Sequence, residues 1–279
     1  METNHKILLL AFPLLVLFAL AEACVLIFIK KQSYDWLESL ASLGVAIGGH
    51  LLRFATVGLV GSFAYSAWQY RCFTLPSGHV AYWPLLFILE ELLYYGFHRL
   101  SHTCRWFWAT HAVHHSPTKF YLSGAYRLGW TGAITGSFIF FTPLFLIGFH
   151  PKDVFLVIGI NLLYQYWLHT ELIGRLPGFD WLFNSPANHR VHHATDTQYL
   201  DKNFGGILML FDHCFGTYQA EDEKNPIQNY GVLPAIHSYN PIKIALHEWL
   251  RIAADLKNSH GIKARFFILF RVMVKSKPS

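Results

Sequence analysis

The sequence predicts an all-α fold, namely a polytopic bundle of membrane helices with a histidine-rich cap on the cytosolic side. Three observations lead to this prediction. Hydrophobic residues make up 53% of the 279-residue chain and charged residues only 14%, which is more apolar than an ordinary soluble domain. Several apolar runs approach the roughly 20 residues that a helix needs to cross a bilayer. Histidines recur at helical spacing between and after these runs.

The first apolar run covers residues 7–29 and contains a single acid, Glu22. Because this run is too long for the apolar part of a cleaved signal peptide, we predict a retained membrane helix. Four further spanning or re-entrant helices are predicted at residues 43–68, 83–98, 130–149 and 154–169. The stretch "GFHPKD" between the last two contains a proline and reads as a tight turn, which makes them an antiparallel hairpin.

The charge distribution predicts the orientation in the membrane. With this set of helices, all histidine clusters fall on one side, together with 18 of the 22 lysines and arginines. The positive-inside rule makes that side cytoplasmic, in a bacterial inner membrane or the endoplasmic reticulum. The formal net charge of +5 is not arranged as a basic stripe with exposed aromatic residues, so no nucleic-acid partner is predicted.

Histidines dominate the polar residues of the predicted cap. Residues three and four apart share one face of a helix, so the motifs "HRLSH", "HAVHH" and "HRVHH" each present their histidines together. A further histidine closes the last predicted membrane helix in "YWLHTE". The nine residues are His98, His102, His111, His114, His115, His169, His189, His192 and His193.

Nine imidazoles are too many for one tetrahedral zinc and suit two metal ions of higher coordination number. Neutral imidazole favours iron, zinc, copper or nickel, and the scarcity of carboxylates argues against calcium or magnesium. Isolated histidines such as His50, His79 and His150 are more often hydrogen-bonded or interfacial side chains than metal ligands. The clustered histidines therefore predict a two-metal site.

Two further polar residues are candidates for catalytic or supporting roles. Glu91 precedes His98 by two helical turns on the same face, where it is expected to accept the free N–H of a ligating imidazole. Its neighbour Glu90 points off that face and is expected to be a bystander. Gln165 lies one turn before His169, and it is expected to be a tenth ligand, to hold a metal-bound water, or only to support helix packing. Weaker candidates are Glu171, Asp196 and Asp212.

Four segments together resemble a known family: "YYGFHRLSH", "WATHAVHHS", "YWLHTE" and "NHRVHHATDTQYLDKNFGGILMLFDHCFGTY". They are similar to the fatty acid hydroxylase and sterol desaturase superfamily of integral-membrane di-iron enzymes. Within it they are most similar to the alkylglycerol monooxygenase-like and bacterial sterol-desaturase-like branch. The resemblance implies three regions: N-terminal membrane helices at 1–82, a di-iron hydroxylase or desaturase domain at 83–220, and a cytosolic or interfacial tail at 221–279.

The resemblance also implies O₂-dependent hydroxylation or desaturation of a lipid, with two non-haem irons bound by the nine histidines named above and Glu91 as the acid ahead of the first motif. Two departures from the family pattern stand out. Gln165 occupies a position where many fatty acid hydroxylases have histidine. In "FYLSGAYRLGW", Tyr121, Gly124 and Leu128 replace the more usual Asn, Thr and Gln of this branch, which predicts altered specificity if that segment lines the substrate tunnel.

The electrons for such a reaction must come from outside the chain. The sequence has no GxGxxG nucleotide loop and no cysteine cluster for iron–sulfur. A ferredoxin, a cytochrome or a reduced pterin remain alternatives for the donor. The apolar run 266–274 is flanked by basic residues and predicts an interfacial helix on anionic lipid, with docking of an acidic donor as a less favoured use. These basic residues are Lys257, Lys263, Arg265, Arg271, Lys275 and Lys277.

Two other classes of function compete with an oxygenase. A zinc hydrolase or isomerase is disfavoured because "HEWLR" at His247 has Arg251 where the HExxH motif needs its second histidine. A non-catalytic metal carrier would need ligands along a path through the bilayer, whereas these histidines are predicted to gather on one face. Iron binding with O₂-dependent product formation distinguishes the oxygenase from both.

Overall fold

The computed structural model describes residues 2–270, with side chains described for residues 12–270. Over that range the regular structure is helical, and the extended segments pair only in two isolated β-bridges. The α-helices are, in chain order, α1 (Glu2–Cys24), α2 (Trp36–Gln69), α3 (Tyr82–Thr103), α4 (Arg105–His111), α5 (Gly132–Thr135), α6 (Thr142–Ile147), α7 (Pro151–Tyr164), α8 (Phe179–Leu182), α9 (Pro186–His193), α10 (Leu210–Phe215), α11 (Pro241–Lys257) and α12 (Ile262–Phe270). One π-helical turn and three 3-10 helices complete them: Val25–Ile29, Leu122–Tyr126, Ser137–Phe141 and Gln165–Leu168.

Two helical segments within the described range are long and apolar enough to cross a bilayer, Phe12–Ile29 and Trp36–Gln69. They correspond to the first two predicted membrane helices. The second begins earlier than predicted because the Asp35 side chain caps it, accepting a hydrogen bond from the Glu38 N–H at 3.0 Å. Both segments leave many large apolar side chains exposed, as expected for lipid-facing surfaces.

The prediction of one continuous spanning or re-entrant helix over residues 130–149 is wrong. The chain there forms two short α-helices, α5 and α6, separated by the 3-10 helix Ser137–Phe141. The break has two causes: Gly136 adopts a left-handed backbone conformation with φ of 76°, and Pro143 lies in the first turn of α6, where its missing N–H does no harm. An apolar run is thus not a continuous helix.

Helices α3 and α7 position three of the predicted histidines. Helix α3 extends beyond the predicted end and carries both His98 and His102, while α7 begins at the proline of the predicted turn and ends before the 3-10 helix that leads to His169. The two helices pack against each other, and buried polar contacts join them: the Tyr82 hydroxyl donates to Asp153 at 2.8 Å, near one end of the pair. The pairing of α3 with α7 fixes the relative positions of the segments that carry His98, His102 and His169.

The two C-terminal helices, α11 and α12, both pack against α4. Helix α11 contacts α2 and α4, and the buried Arg105 side chain joins it through Glu248 at 2.7 Å and Asp255 at 2.5 Å. Helix α12 exposes Phe266 and Phe267, in keeping with the predicted interfacial helix. Arg271, Lys275, Lys277 and the end of the predicted apolar run lie outside the described residues.

Candidate metal centre

The structure brings the nine predicted histidines together in two clusters. Within each cluster, one nitrogen from every ring lies within 4.8 Å of the others, and the rings are almost all buried. The five-histidine cluster consists of His98, His102, His111, His115 and His192. The four-histidine cluster consists of His114, His169, His189 and His193.

The ring nitrogens of each cluster converge on a common point. In the five-histidine cluster, the Nε2 atom of His111 lies 3.0 Å from that of His98 and 3.1 Å from that of His115. In the four-histidine cluster, Nε2 of His193 lies 3.2 Å from that of His114 and 3.1 Å from that of His189. Ligands at 2.1 Å from one cation are separated by about 3.0 Å at a right angle and about 3.4 Å at the tetrahedral angle. The donor sets therefore fit two metal ions.

Burial keeps these imidazoles in the form that binds metal. Burial lowers the pKa of His114 to about 4, a backbone contact with Arg127 opposing it slightly. Burial, reinforced by neighbouring imidazoles, holds the pKa of His115, His189 and His193 well below the usual value. At neutral pH these four rings are therefore uncharged, and their lone pairs are available to a cation.

Backbone carbonyls hold the opposite side of several rings. The Nδ1 atom of His98 lies 2.8 Å from the Phe204 carbonyl oxygen, and that of His192 lies 2.9 Å from the Lys202 carbonyl oxygen. In the other cluster, Nδ1 of His169 lies 3.0 Å from the carbonyl oxygen of Gln165. Because a carbonyl only accepts, these rings donate Nδ1–H and direct Nε2 into the cluster.

Each later histidine motif contributes to both clusters. Helix α4 ends at His111, so His114 and His115 lie in a turn rather than on one helical face, and His114 joins the other cluster. Helix α9 does remain helical, and His189 and His193, one turn apart, share the four-histidine cluster while His192 joins the five-histidine one. The expectation that each motif presents its histidines as one set is therefore corrected. The motifs interlock the two clusters.

Glu91 is hydrogen-bonded to the loop at Ile207 and Leu208. Its carboxylate is buried and accepts hydrogen bonds from the N–H of Ile207 at 3.1 Å and of Leu208 at 2.7 Å, and from the Asn161 amide at 2.8 Å. These donors differ from the imidazole N–H that the sequence predicted as its partner. Glu90, the expected bystander, is fully buried and accepts from the same Asn161 amide at 3.1 Å.

Gln165 joins the same buried polar network. Its amide nitrogen donates to the Asn161 side chain at 2.5 Å, and its amide oxygen accepts from the Tyr94 hydroxyl at 2.9 Å. Its backbone carbonyl faces His169, as described above. The side chain thus couples α3 to α7, which agrees best with the packing alternative, while the backbone orients a histidine.

A comparison with known families matches the fatty acid hydroxylase model to residues 83–217, a range that carries all nine histidines. Residues 83–217 form a fatty acid hydroxylase domain. Outside that match, α1 and α2 pack against the domain, for example where Arg127 forms an ion pair with Glu38 at 2.8 Å. The domain is therefore held against both candidate membrane helices.

Individual proteins show the same kinship. The Homo sapiens alkylglycerol monooxygenase is 35% identical over 237 residues, covering 84% of this chain and 52% of the relative. The Danio rerio alkylglycerol monooxygenase is 42% identical over 151 residues, covering 54% and 33%. The ornithine lipid hydroxylase OlsE of Rhizobium tropici is 29% identical over 143 residues, covering 49% and 43%. The chain spans about half the length of the first of these relatives. No solved structure matches the chain.

An open polar groove lies beside the five-histidine cluster of the hydroxylase domain. It has a volume of about 670 Å³, and its walls include Asn229 and Tyr230. A narrow neck of about 20 Å³ adjoins it, lined by His115, His192 and His193. The groove and the neck share wall residues such as Thr195 and therefore lie next to each other, and the neck reaches a histidine of each cluster.

A stack of aromatic rings also connects this groove to the four-histidine cluster. The ring of Tyr230 stacks on Phe120 with centroids 4.9 Å apart, and Phe120 stacks on His169 at 5.7 Å. Phe120 is buried, so the stack excludes water from that side of the hydroxylase domain's candidate metal centre.

Sequence reasoning missed several residues that support the hydroxylase domain's histidines. Asn161, fully buried in α7, was detectable as a lone amide in the apolar stretch "LVIGINLLY". Asp201, whose carboxylate lies 3.5 Å from Nδ1 of His102, carried no comparable signal. Of the weaker candidates, Asp212 is fully buried, Glu171 is exposed, and Asp196 accepts backbone N–H groups at the groove.

Proposed function

We propose that the chain is an integral-membrane di-iron oxygenase that hydroxylates, or desaturates, a C–H bond of a lipid with O₂ and an external reductant. The observation that carries this proposal is the convergence of nine imidazoles, almost all buried, in two adjacent clusters within a fatty acid hydroxylase domain. Imidazole suits iron as well as zinc, copper and nickel, and the resemblance to a superfamily of di-iron enzymes favours iron among them. Bound iron would supply the oxidation chemistry that no side chain provides.

The chain's own residues would bind the metals, orient the histidine rings and exclude water from this centre. The nine histidines are the ligands, and the carbonyl oxygens of Lys202, Phe204 and Gln165 fix the ring orientation. Glu91 supports the centre by accepting backbone N–H groups of the loop at Ile207 and Leu208, and Gln165 supports it through its hydrogen bond to the Asn161 side chain. The rings of Phe120 and Trp108 lie against the histidines and limit the access of water.

The lipid would reach the centre from the membrane side. The candidate membrane helices Phe12–Ile29 and Trp36–Gln69 place apolar surface beside the domain, and we propose that both cross the bilayer with the histidines facing the cytoplasm, as the charge distribution favours. The relatives' names, alkylglycerol monooxygenase and ornithine lipid hydroxylase, favour hydroxylation over desaturation and a lipid as substrate.

The external reductant would arrive from the opposite, aqueous side. The groove with Asn229 and Tyr230 in its walls lies next to the neck that His115 and His192 line. We propose this face as the approach of the electron donor, whether a ferredoxin, a cytochrome or a reduced pterin. Lipid and reductant would then approach from different sides without competing for space.

Metal analysis combined with an isotope experiment tests the proposal. The full chain is purified in detergent from iron-supplemented cells, and its iron content is measured together with that of a His114→Ala variant. We expect about two irons per chain, fewer in the variant, and incorporation of labelled oxygen from O₂ into a lipid product. Bound zinc would favour a zinc enzyme if its replacement by iron gave no activity. Folded protein that binds no metal would overturn the proposal.

A further inference from the structure

One short loop segment, Asp201–Phe204, contacts three of the five histidines in the five-histidine cluster, and we call it the 201–204 strap. The carbonyl oxygens of Lys202 and Phe204 lie 2.9 Å and 2.8 Å from Nδ1 of His192 and His98, as described above. The carboxylate of Asp201 lies 3.5 Å from Nδ1 of His102. These three rings come from α3 and α9, so the strap contacts candidate ligands on both helices at the cluster.

The backbone of the strap adopts an unusual conformation. Asp201 and Asn203 have φ values of 58° and 57°, in the left-handed region that non-glycine residues seldom occupy and that Asp and Asn tolerate best. Such a conformation persists only where the surroundings hold it in place. The strap therefore needs side chains that hold its backbone in place on both sides, and we call these side chains its fasteners.

Asn203 is the first fastener. Its side chain is fully buried and donates to the backbone carbonyls of Asn188 at 3.0 Å and Gln219 at 2.8 Å. Its amide oxygen accepts from the N–H of Gln219 at 2.8 Å. All of the amide's bonds thus go to the backbone of segments that flank the strap, and none of these bonds reaches a histidine.

Asp212 is the second fastener. Its carboxylate is fully buried and accepts from the N–H of Phe204 at 2.8 Å and of Gly205 at 2.7 Å. The Thr217 hydroxyl donates to the same group at 2.6 Å. A side chain at position 205 would lie 3.0 Å from the carboxylate and 2.2 Å from a backbone oxygen, so glycine allows this close approach.

We infer that Asp201, Asn203 and Asp212 are positioning residues for the metal of the five-histidine cluster, acting through the strap on the orientation of His98, His102 and His192. The inference rests on the proposed metal binding at the clusters. It predicts an asymmetry that a general loss of packing would not produce, because in the four-histidine cluster the Nδ1 atoms of His169 and His114 face the carbonyl oxygens of Gln165 and Arg127 instead.

The test is a metal titration of the full-length chain in detergent, with Fe²⁺ under anaerobic conditions against a chelator and with Co²⁺ followed by its visible spectrum. The variants are Asp212→Asn, Asp201→Asn and Asn203→Gly, the last of which keeps the left-handed conformation while removing the fastening bonds. The matched control is Asp180→Asn, a buried acid that accepts the Leu176 N–H at 2.8 Å away from the strap.

We expect one of the two metal equivalents to bind 10- to 100-fold more weakly in the strap variants, a typical effect of altering residues that orient ligands. The second equivalent and the Asp180→Asn control should titrate as the parent does. Unchanged binding of both equivalents in all folded strap variants would overturn the inference, as would equal weakening of both. A parent chain that binds no metal at all would instead overturn the proposed function, which separates the two failures.

Discussion

At the scale of single residues, Glu90 and Glu91 are sequence neighbours with different partners. Glu91 accepts two backbone N–H groups of the loop at Ile207 and Leu208 in addition to the Asn161 amide, whereas Glu90 accepts from the Asn161 amide. Replacing Glu91 by glutamine would direct an NH₂ group toward a backbone donor. We expect Glu91→Gln to destabilise the fold by about 1–3 kcal/mol.

Glu90→Gln is the matched comparison for that variant. The glutamine would remove one of two adjacent buried acids while keeping an oxygen for Asn161, so a smaller loss of stability is expected. The measurement is the midpoint of thermal unfolding of both variants in the same detergent. Equal losses, or a larger loss for Glu90→Gln, would contradict the assignment of Glu91 as the carboxylate that holds the loop.

Individual histidines should also differ by cluster. His193 lies within contact distance of His114 and His189 in the four-histidine cluster, so His193→Ala should remove about one of the two bound metals and leave the other. His213, which faces the Trp181 carbonyl outside both clusters, provides a control in His213→Ala. Elemental analysis per folded chain decides, and a loss of both metals would argue for one shared site.

At the scale of elements, replacing Gly148 and Gly159 by alanine is expected to have opposite effects on stability. Gly148 has a φ of 130°, and an added Cβ would lie 2.3 Å from the backbone oxygen of Phe73, so Gly148→Ala should cost about 1–3 kcal/mol. Gly159, inside α7, has open space around it, so Gly159→Ala should stabilise the helix by about 0.5–1 kcal/mol. Thermal unfolding of the two variants under one condition compares them directly, and a destabilising Gly159→Ala would show that this helix surface is covered.

The elements also show where sequence reasoning succeeded and where it could not. Long apolar runs were sufficient to find α1, α2 and α3, because length and hydropathy alone define such helices. They failed at 130–149, where Gly136 and Pro143 decide the local geometry. The histidines themselves were found from spacing, but their division into two clusters was not. That division depends on the turn after His111 and on the distant strap, neither of which has a periodic signal.

At the scale of the whole molecule, the two clusters join segments that are far apart in the chain. Helices α3, α4 and α9 meet at the five-histidine cluster, and the segment after α7 meets α9 at the other. Metal bound only by the folded state stabilises it by mass action. We therefore expect a chelator to lower the midpoint of thermal unfolding, and restored iron to raise it again. A midpoint unaffected by chelation, with the metal shown to be removed, would mean that the protein packing alone holds these segments.

Acid should destabilise the molecule over a defined range of pH. Burial lowers the pKa of His114 to about 4 and those of His115, His189 and His193 well below the usual value, whereas in the unfolded chain each imidazole has a pKa of about 6.5. Between about pH 6.5 and 4 the unfolded state therefore binds more protons, so the free energy of unfolding falls as the pH is lowered. Metal binding acts in the same direction, because its ligands must be deprotonated.

Asp212 opposes this trend, since burial raises its pKa despite the hydrogen bonds from Thr217 and the backbone, and protonation of such an acid favours the folded state. Glu90 and Glu91, which are also buried acids, act in the same direction as Asp212, so the loss of stability is smaller than the four imidazoles alone would cause. Among unfolding midpoints measured at pH 7.5, 6.5 and 5.5, the fall should therefore occur between pH 6.5 and 5.5, where the imidazoles of the unfolded chain take up protons, with and without chelator. A midpoint that stays level or rises toward pH 5.5 in the chelated protein would show that the imidazoles reach water or rearrange when the metal is removed.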